Sequence, residues 1–169
     1  MAPQRDDGLI YERALRAIGR HLDAEPVYNV SMLEVDDGFT VRYQPTLHDP
    51  TCRITHFGKS MLEDLTVFQT ASRGLVRRSD RHEGMWATFP DGHQEFFRAL
   101  GFILDCEGAR GLTLDELDEH VRISFVRPDP ADALCTQKCE MTFREQDIRA
   151  VVQIARKRRG NGPVLLRAE

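Results

Sequence analysis

The sequence lacks any long apolar segment. None of its apolar runs approaches the ~18 residues that span a bilayer. The stretch from Met1 to Asp7 is polar and lacks the apolar core of a signal peptide. These absences argue against a membrane protein and indicate a soluble, cytoplasmic one, whose four cysteines are expected to stay reduced.

Lysine, aromatic residues and excess positive charge are also scarce. Of 23 basic residues only Lys59, Lys138 and Lys157 are lysines, and aromatic residues make up 8% of the chain. The net charge is −4, with a pI near 5.9. This balance argues against wholesale nucleic-acid binding, which usually shows as a basic domain, but it leaves room for a local basic patch.

Familiar catalytic signatures are missing as well. The chain contains no G-x-G-x-x-G, G-x-x-x-x-G-K-[ST], G-x-S-x-G or H-E-x-x-H motif, and its six histidines are scattered. The segment Phe57-Gly58-Lys59-Ser60 ends like a P-loop but lacks the earlier glycine. The sequence therefore predicts no catalytic residues and no cofactor, and it favours a non-enzymatic protein.

An internal repeat is the main feature that the sequence does contain. When Arg16 is aligned with Arg98, a shift of 82, eight positions up to Tyr43 are identical, where about two would be expected by chance. The identical positions of the first copy are Arg16, Ala17, Gly19, Leu22, Asp23, Glu25, Glu34 and Asp36. After the second strand the shift grows to 86, so that Phe57 aligns with Phe143.

Each copy has the pattern helix, strand, strand, third strand, helix. Apolar residues at helical spacing predict helices over about 9–24 and 93–107, and closing helices over about 60–72 and 143–158. The predicted fold is α+β: a tandem duplication of an α-β-β-β-α unit with pseudo-twofold symmetry and antiparallel sheet covered by helices. The predicted parts are a first repeat over 1–76, a connector over 77–91 and a second repeat over 92–169. The copies are expected to form one continuous sheet or two small sheets packed through their helices.

The first hairpin turns around Asp36-Asp37-Gly38. A two-residue turn at Asp37-Gly38 would put Glu34 on an apolar face. We favour a three-residue turn, which sends Glu34 to the face opposite Phe39 and Val41. In either register the first strand is apolar on both faces, which predicts a central or covered strand.

Glu34 and Glu116 occupy matching positions in the two hairpins. As paired carboxylates they are candidates for acid/base work or metal binding, and the alternative is that they are solvated or capping residues. Asp23 and Asp105 recur where the first helices end, although acids are unfavourable at that end of a helix. Their recurrence predicts a local hydrogen bond or a contact between the copies, and inheritance from one duplicated ancestor explains it equally well.

Three cysteines are the candidate metal ligands. Cys135 and Cys139 have the spacing of one zinc ligand pair, and Cys52 lies in the equivalent region of the first copy. A zinc site requires the two regions to meet. The alternative is that these are ordinary reduced cysteines.

Basic residues cluster after both closing helices. As one stripe they would bind phosphates and favour nucleic-acid binding, although cations at helix C-termini are common without that role. These residues are Arg73, Arg77, Arg78, Arg156, Lys157, Arg158 and Arg159.

The connector carries the only tryptophan of the chain. Met85, Trp86 and Phe89 form an apolar patch that either packs on the body of the protein or docks a partner. The sequence thus favours a protein-binding or adaptor module that uses strand surfaces, or this connector, to bind an unknown protein or a second copy of itself. Nucleic-acid binding and a zinc-dependent site are the alternatives.

Overall fold

A computed structural model of the chain describes residues 11–24, 27–62, 92–117 and 119–160. Its elements, in chain order, are α1 (Tyr11–Asp23), β1 (Tyr28–Val35), β2 (Gly38–Gln44), β3 (Arg53–Gly58), α2 (His93–Glu107), β4 (Arg110–Glu116), β5 (His120–Pro128), β6 (Thr136–Arg144) and α3 (Glu145–Gly160). Residues 59–62 are helical and directly follow β3. The predicted α+β class and the third strands of both halves are confirmed.

The six strands form one antiparallel sheet in the order β3-β2-β1-β4-β5-β6. The two halves of the chain meet where β1 pairs with β4, with Met32 opposite Leu114. Of the two predicted arrangements, one continuous sheet is therefore observed. The central position predicted for the first strand is confirmed, because β1 has a neighbour on both sides.

The register of the first hairpin corrects the sequence interpretation. Val35 pairs with Gly38 and Glu34 with Phe39, so the turn consists of the two residues Asp36 and Asp37. Neither turn considered from the sequence is present. Glu34 lies on the same face as Phe39 and Val41, because side chains alternate along a strand and directly opposed residues share a face.

Helices α1 and α2 lie antiparallel against the same face of the sheet. In α1 the residues Ala14, Leu15, Ile18 and Leu22 follow helical spacing and are buried. Their partners in α2 include Phe96 and Leu100, and one continuous core joins them to the inward side chains of the strands. The helix axes approach closely because Gly19 and Gly101 carry no side chain where each meets the first turn of the other helix.

Helix α3 follows β6 directly and packs beside α2, with Val152 and Ala155 against Ala99. Thr142 has capping-box spacing with Glu145, but it is a strand residue and does not cap α3. The backbone N–H of Arg144 instead donates to Asp147 Oδ2 at 2.9 Å. Asp147 thus satisfies one of the amide groups that a helix start leaves without an intrahelical acceptor.

Among the described helices none is long and apolar enough to cross a membrane. The predicted connector over 77–91 lies outside the described residues, as does most of the first closing helix.

Candidate functional site

The most unusual polar cluster of the described structure surrounds His93, the first residue of α2. Its side chain is fully buried, with Nδ1 3.3 Å from Asp23 Oδ1 and Nε2 2.9 Å from Glu116 Oε2. Asp23 ends α1 and also accepts the backbone N–H groups of His93 (2.8 Å) and Gln94 (2.9 Å). One carboxylate thus caps the start of α2, where the helix dipole favours negative charge, and holds the imidazole beside it.

The two carboxylates favour the charged form of His93. Burial lowers the pKa of the imidazole, but the hydrogen bonds that its ring nitrogens donate to Asp23 and Glu116, and the negative charges of these carboxylates, outweigh burial and raise the pKa from 6.5 to about 9. The geometry agrees, since only the imidazolium can donate from both ring nitrogens. A protonated ring has no lone pair to accept a proton, so at neutral pH His93 acts as a buried cation and not as a general base.

A related cluster lies at the start of α1. The hydroxyl of Tyr11, which is 1% exposed, donates to Glu34 Oε2, and the same oxygen accepts the backbone N–H of Leu112 at 2.8 Å. Asp105 of α2 accepts the backbone N–H groups of Tyr11 (2.9 Å) and Glu12 (3.0 Å). Each of the two helices is therefore capped by an aspartate of the other, which explains acids at positions that are unfavourable in an isolated helix.

Removing the Tyr11 hydroxyl tests this second cluster. We expect Tyr11→Phe to lower the free energy of unfolding by about 2 kcal/mol, because it deletes a hydrogen bond to a charged acceptor and leaves the ring in place. Urea denaturation followed by circular dichroism measures the change. The matched control is Tyr43→Phe, at a buried tyrosine that makes no side-chain hydrogen bond within the described part of the chain. Equal stabilities of the two variants would contradict the assignment.

Glu34 and Glu116 do not form the predicted carboxylate pair. The Glu34 carboxylate accepts the backbone N–H of Leu112, which lies four strand residues, about 13 Å, from Glu116. Each carboxylate instead binds the first residue of a different helix, Tyr11 or His93. Their role is to tie the helix layer to the sheet.

The three candidate zinc ligands do not converge. Cys52 immediately precedes β3, and Cys139 lies in β6, so opposite edges of the sheet separate them by about 24 Å. Cys135, just before β6, has its thiol 3.3 Å from Asp132 Oδ2. Within residues 11–24, 27–62, 92–117 and 119–160, no group of three His, Cys, Asp or Glu side chains is arranged to hold a metal ion.

The predicted basic stripe is only partly within the described structure. Arg156 lies on α3 with Nη2 3.4 Å from Glu95 Oε2, and the neighbouring Lys157 is exposed. Arg158 and Arg159 occupy the last turn of α3, and their side chains are not described. Arg73, Arg77 and Arg78, together with the docking candidates Met85, Trp86 and Phe89, lie outside the described residues.

The open face of the sheet, meaning the face opposite α1, α2 and α3, displays a separate set of side chains. Two rows of directly opposed residues cross all six strands. The first row is Ile54, Arg42, Ser31, Asp115, Arg122 and Thr142, and the second is His56, Thr40, Leu33, Thr113, Ser124 and Glu140. Leu33 is 51% and Ile54 69% exposed. Ser31 donates to Asp115 at 2.7 Å across the β1–β4 junction.

Sequence reasoning missed His93 and Tyr11. Neither stands at a recognised motif spacing, and a buried imidazole partnered by two carboxylates from different elements cannot be read from neighbouring residues. The sequence feature that could have pointed to these clusters is the internal repeat, in which Asp23 aligns with Asp105 and Glu34 aligns with Glu116. The two-sided apolar first strand pointed to a strand surface, but the three-residue turn favoured from the sequence puts Leu33 on the face of Phe39 and Val41, whereas it lies on the open face opposite Thr40.

The fold and these clusters define an α+β protein with a six-stranded antiparallel sheet, helices on one face and interlocked helix caps. No protein-family model, curated protein or solved structure matches the chain.

Proposed function

We propose that this chain is a non-enzymatic protein-binding module that holds a partner on the open face of its sheet. The observation that supports this proposal is the contrast between the two faces of the sheet. On the helix-covered face the clustered acids and His93 serve as caps and ties between elements. The open face instead presents the exposed apolar side chains of Leu33 and Ile54 beside the exposed Arg42 and Arg122.

The chemistry of the open face suits a polypeptide partner. Arg42 and Arg122 stand in one row with three strand spacings, about 14 Å, between them. Arginine and exposed apolar side chains are typical of interface centres. The partner we propose has carboxylates for the two guanidinium groups and an apolar side chain for Leu33. Asp115 between the arginines disfavours a nucleic-acid backbone, whose charge is uniformly negative.

The architecture supports duplication of one unit as the origin of this module. The contacts described above are reciprocal: Tyr11 and His93, Asp23 and Asp105, and Glu34 and Glu116 each differ by 82 positions, as do Gly19 and Gly101. A duplicated unit with pseudo-twofold symmetry accounts for four coincidences at one shift. The four free cysteines are consistent with the proposed cytoplasmic location.

Affinity capture from the native host tests the proposed face. Reversing both arginines, Arg42→Glu with Arg122→Glu, is expected to remove the partner retained by the wild-type chain, because loss of a central interface arginine costs about 2 kcal/mol, or about 30-fold in affinity. The control is Gln153→Glu, an exposed position on α3. Circular dichroism must show that all variants are folded.

Two outcomes separate the proposal from its alternatives. An unchanged partner set with the double reversal would reject the open face as the binding surface. Loss of the partner only with Trp86→Ala would move the binding surface to the connector residues Met85, Trp86 and Phe89.

A further inference from the structure

The outer edge of β6 lacks three of the features that keep sheet edges from pairing: short length, a bulge and a proline. Within the described residues it is the last strand of the sheet, and all nine of its residues pair with β5 without a register shift. Natural sheet edges are protected by short strands, bulges, proline, charged side chains (lysine above all) or a covering helix or loop. Strand β6 is long, contains no proline and pairs with β5 without a bulge, and its charged residues are Lys138, Glu140 and Arg144.

Two of the three charges of β6, Lys138 and Glu140, are self-complementary about Cys139, while the third, Arg144, ends the strand. Lys138 and Glu140 lie on the open face, on either side of Cys139, and are 72% and 67% exposed. If a second copy of β6 pairs antiparallel with the twofold axis at Cys139, Lys138 of each copy is opposite Glu140 of the other. Moving the axis to Lys138 or Glu140 would instead place like charges opposite each other, which is unfavourable.

We propose that the chain forms a twofold homodimer by antiparallel pairing of β6 with β6 of a second copy, centred on Cys139. The pairing joins two six-stranded sheets into one of twelve strands, in the isologous arrangement typical of dimers. Because opposed residues share a face, the open faces of both copies become continuous. This inference rests on the β6 edge alone and does not require the partner proposed for the open face.

Charge reversal at two positions tests the pairing and its register. Analytical ultracentrifugation of the full chain should show a dimer for the wild type. Lys138→Glu and Glu140→Lys should each raise the dimer dissociation constant about tenfold or more, because two opposite-charge pairs per dimer become like-charge pairs. An equimolar mixture of the two variants should recover the dimer, since every reversed charge then meets an opposite one.

A crosslink fixes the centre of the interface. In a chain whose only cysteine is Cys139, the others being replaced by serine, a short bismaleimide should link two copies. In a matched chain whose only cysteine is Cys135, it should not, because the two thiols would lie about eight strand residues, roughly 27 Å, apart.

A monomeric wild type at concentrations near 100 μM, on the order where weak dimers form, would overturn the proposal. So would a dimer that both reversals leave intact, or crosslinking through Cys135 alone. The capture experiment with Arg42 and Arg122 measures partner binding and not dimer formation. Either proposal can therefore be rejected without affecting the other.

Discussion

Replacing His93 with leucine is expected to lower the free energy of unfolding by about 3–5 kcal/mol. The substitution leaves Asp23 and Glu116, each 8% exposed, without the cation between them. Removing one member of a buried ion cluster costs this much because the remaining charge stays desolvated and unpaired. Urea denaturation followed by circular dichroism and by intrinsic fluorescence measures the loss and tests whether the transition stays two-state.

His56→Leu is the control for this substitution. His56 also lies 3.3 Å from a carboxylate, that of Asp37, but its side chain is 44% exposed. Water screens such a pair, so the expected change is below about 1 kcal/mol. If the two leucine variants lost the same stability, the large cost assigned to burial of the His93 cluster would be wrong.

The pH dependence of stability follows from the same cluster. The pKa of His93 is raised from 6.5 to about 9 in the folded protein, so the folded state holds this proton more tightly than the unfolded state. The stabilisation is present in full below pH 6.5 and is lost as the pH rises through about 9, a change on the order of 3 kcal/mol. His93→Gln should lack this loss between pH 6.5 and 9. A pH profile of the wild type parallel to that of the variant would show that folding does not raise the pKa of His93.

Residues governed by local rules could be predicted from the sequence. Helical spacing of Phe96, Leu100 and Leu104 gave the bounds of α2 as His93–Glu107, which the structure confirms. The two-sided apolar pattern of β1 correctly predicted a central strand. Both predictions were correct because they rest on the spacing of apolar residues that are close together in the sequence.

The prediction of the hairpin register was wrong because the polar side chain of Glu34 was assumed to be exposed to solvent. Glu34 was expected opposite the core, but it is held on the core face by the Tyr11 hydroxyl and the Leu112 amide. A buried carboxylate is tolerated when its hydrogen bonds are satisfied, and these donors come from elements 23 and 78 residues away. No local pattern could reveal such partners.

The contact between α1 and α2 leads to the second large effect, at Gly101. A Cβ atom there would lie 2.6 Å from Glu12 Cα and 2.6 Å from the Tyr11 carbonyl oxygen. Both atoms belong to the backbone of α1, so no side-chain rotation can relieve the overlap and the helices must separate. Separation also strains the Asp105 cap and the bond between Tyr11 and Glu34.

We therefore expect Gly101→Val to lower the free energy of unfolding by about 3 kcal/mol or more, at the upper end of the usual cost of overpacking. Gly19→Val should follow, with a smaller loss, because its nearest backbone atoms are 2.9 Å away. The control is Gly58→Ala, where the nearest atom is the His56 ring nitrogen at 3.8 Å and the change should stay within about 0.5 kcal/mol. Thermal and urea unfolding measure the loss of stability of the three variants and rank them. A Gly101→Val variant as stable as the control would mean that α1 and α2 do not approach this closely, and that the reciprocal caps cannot form as described.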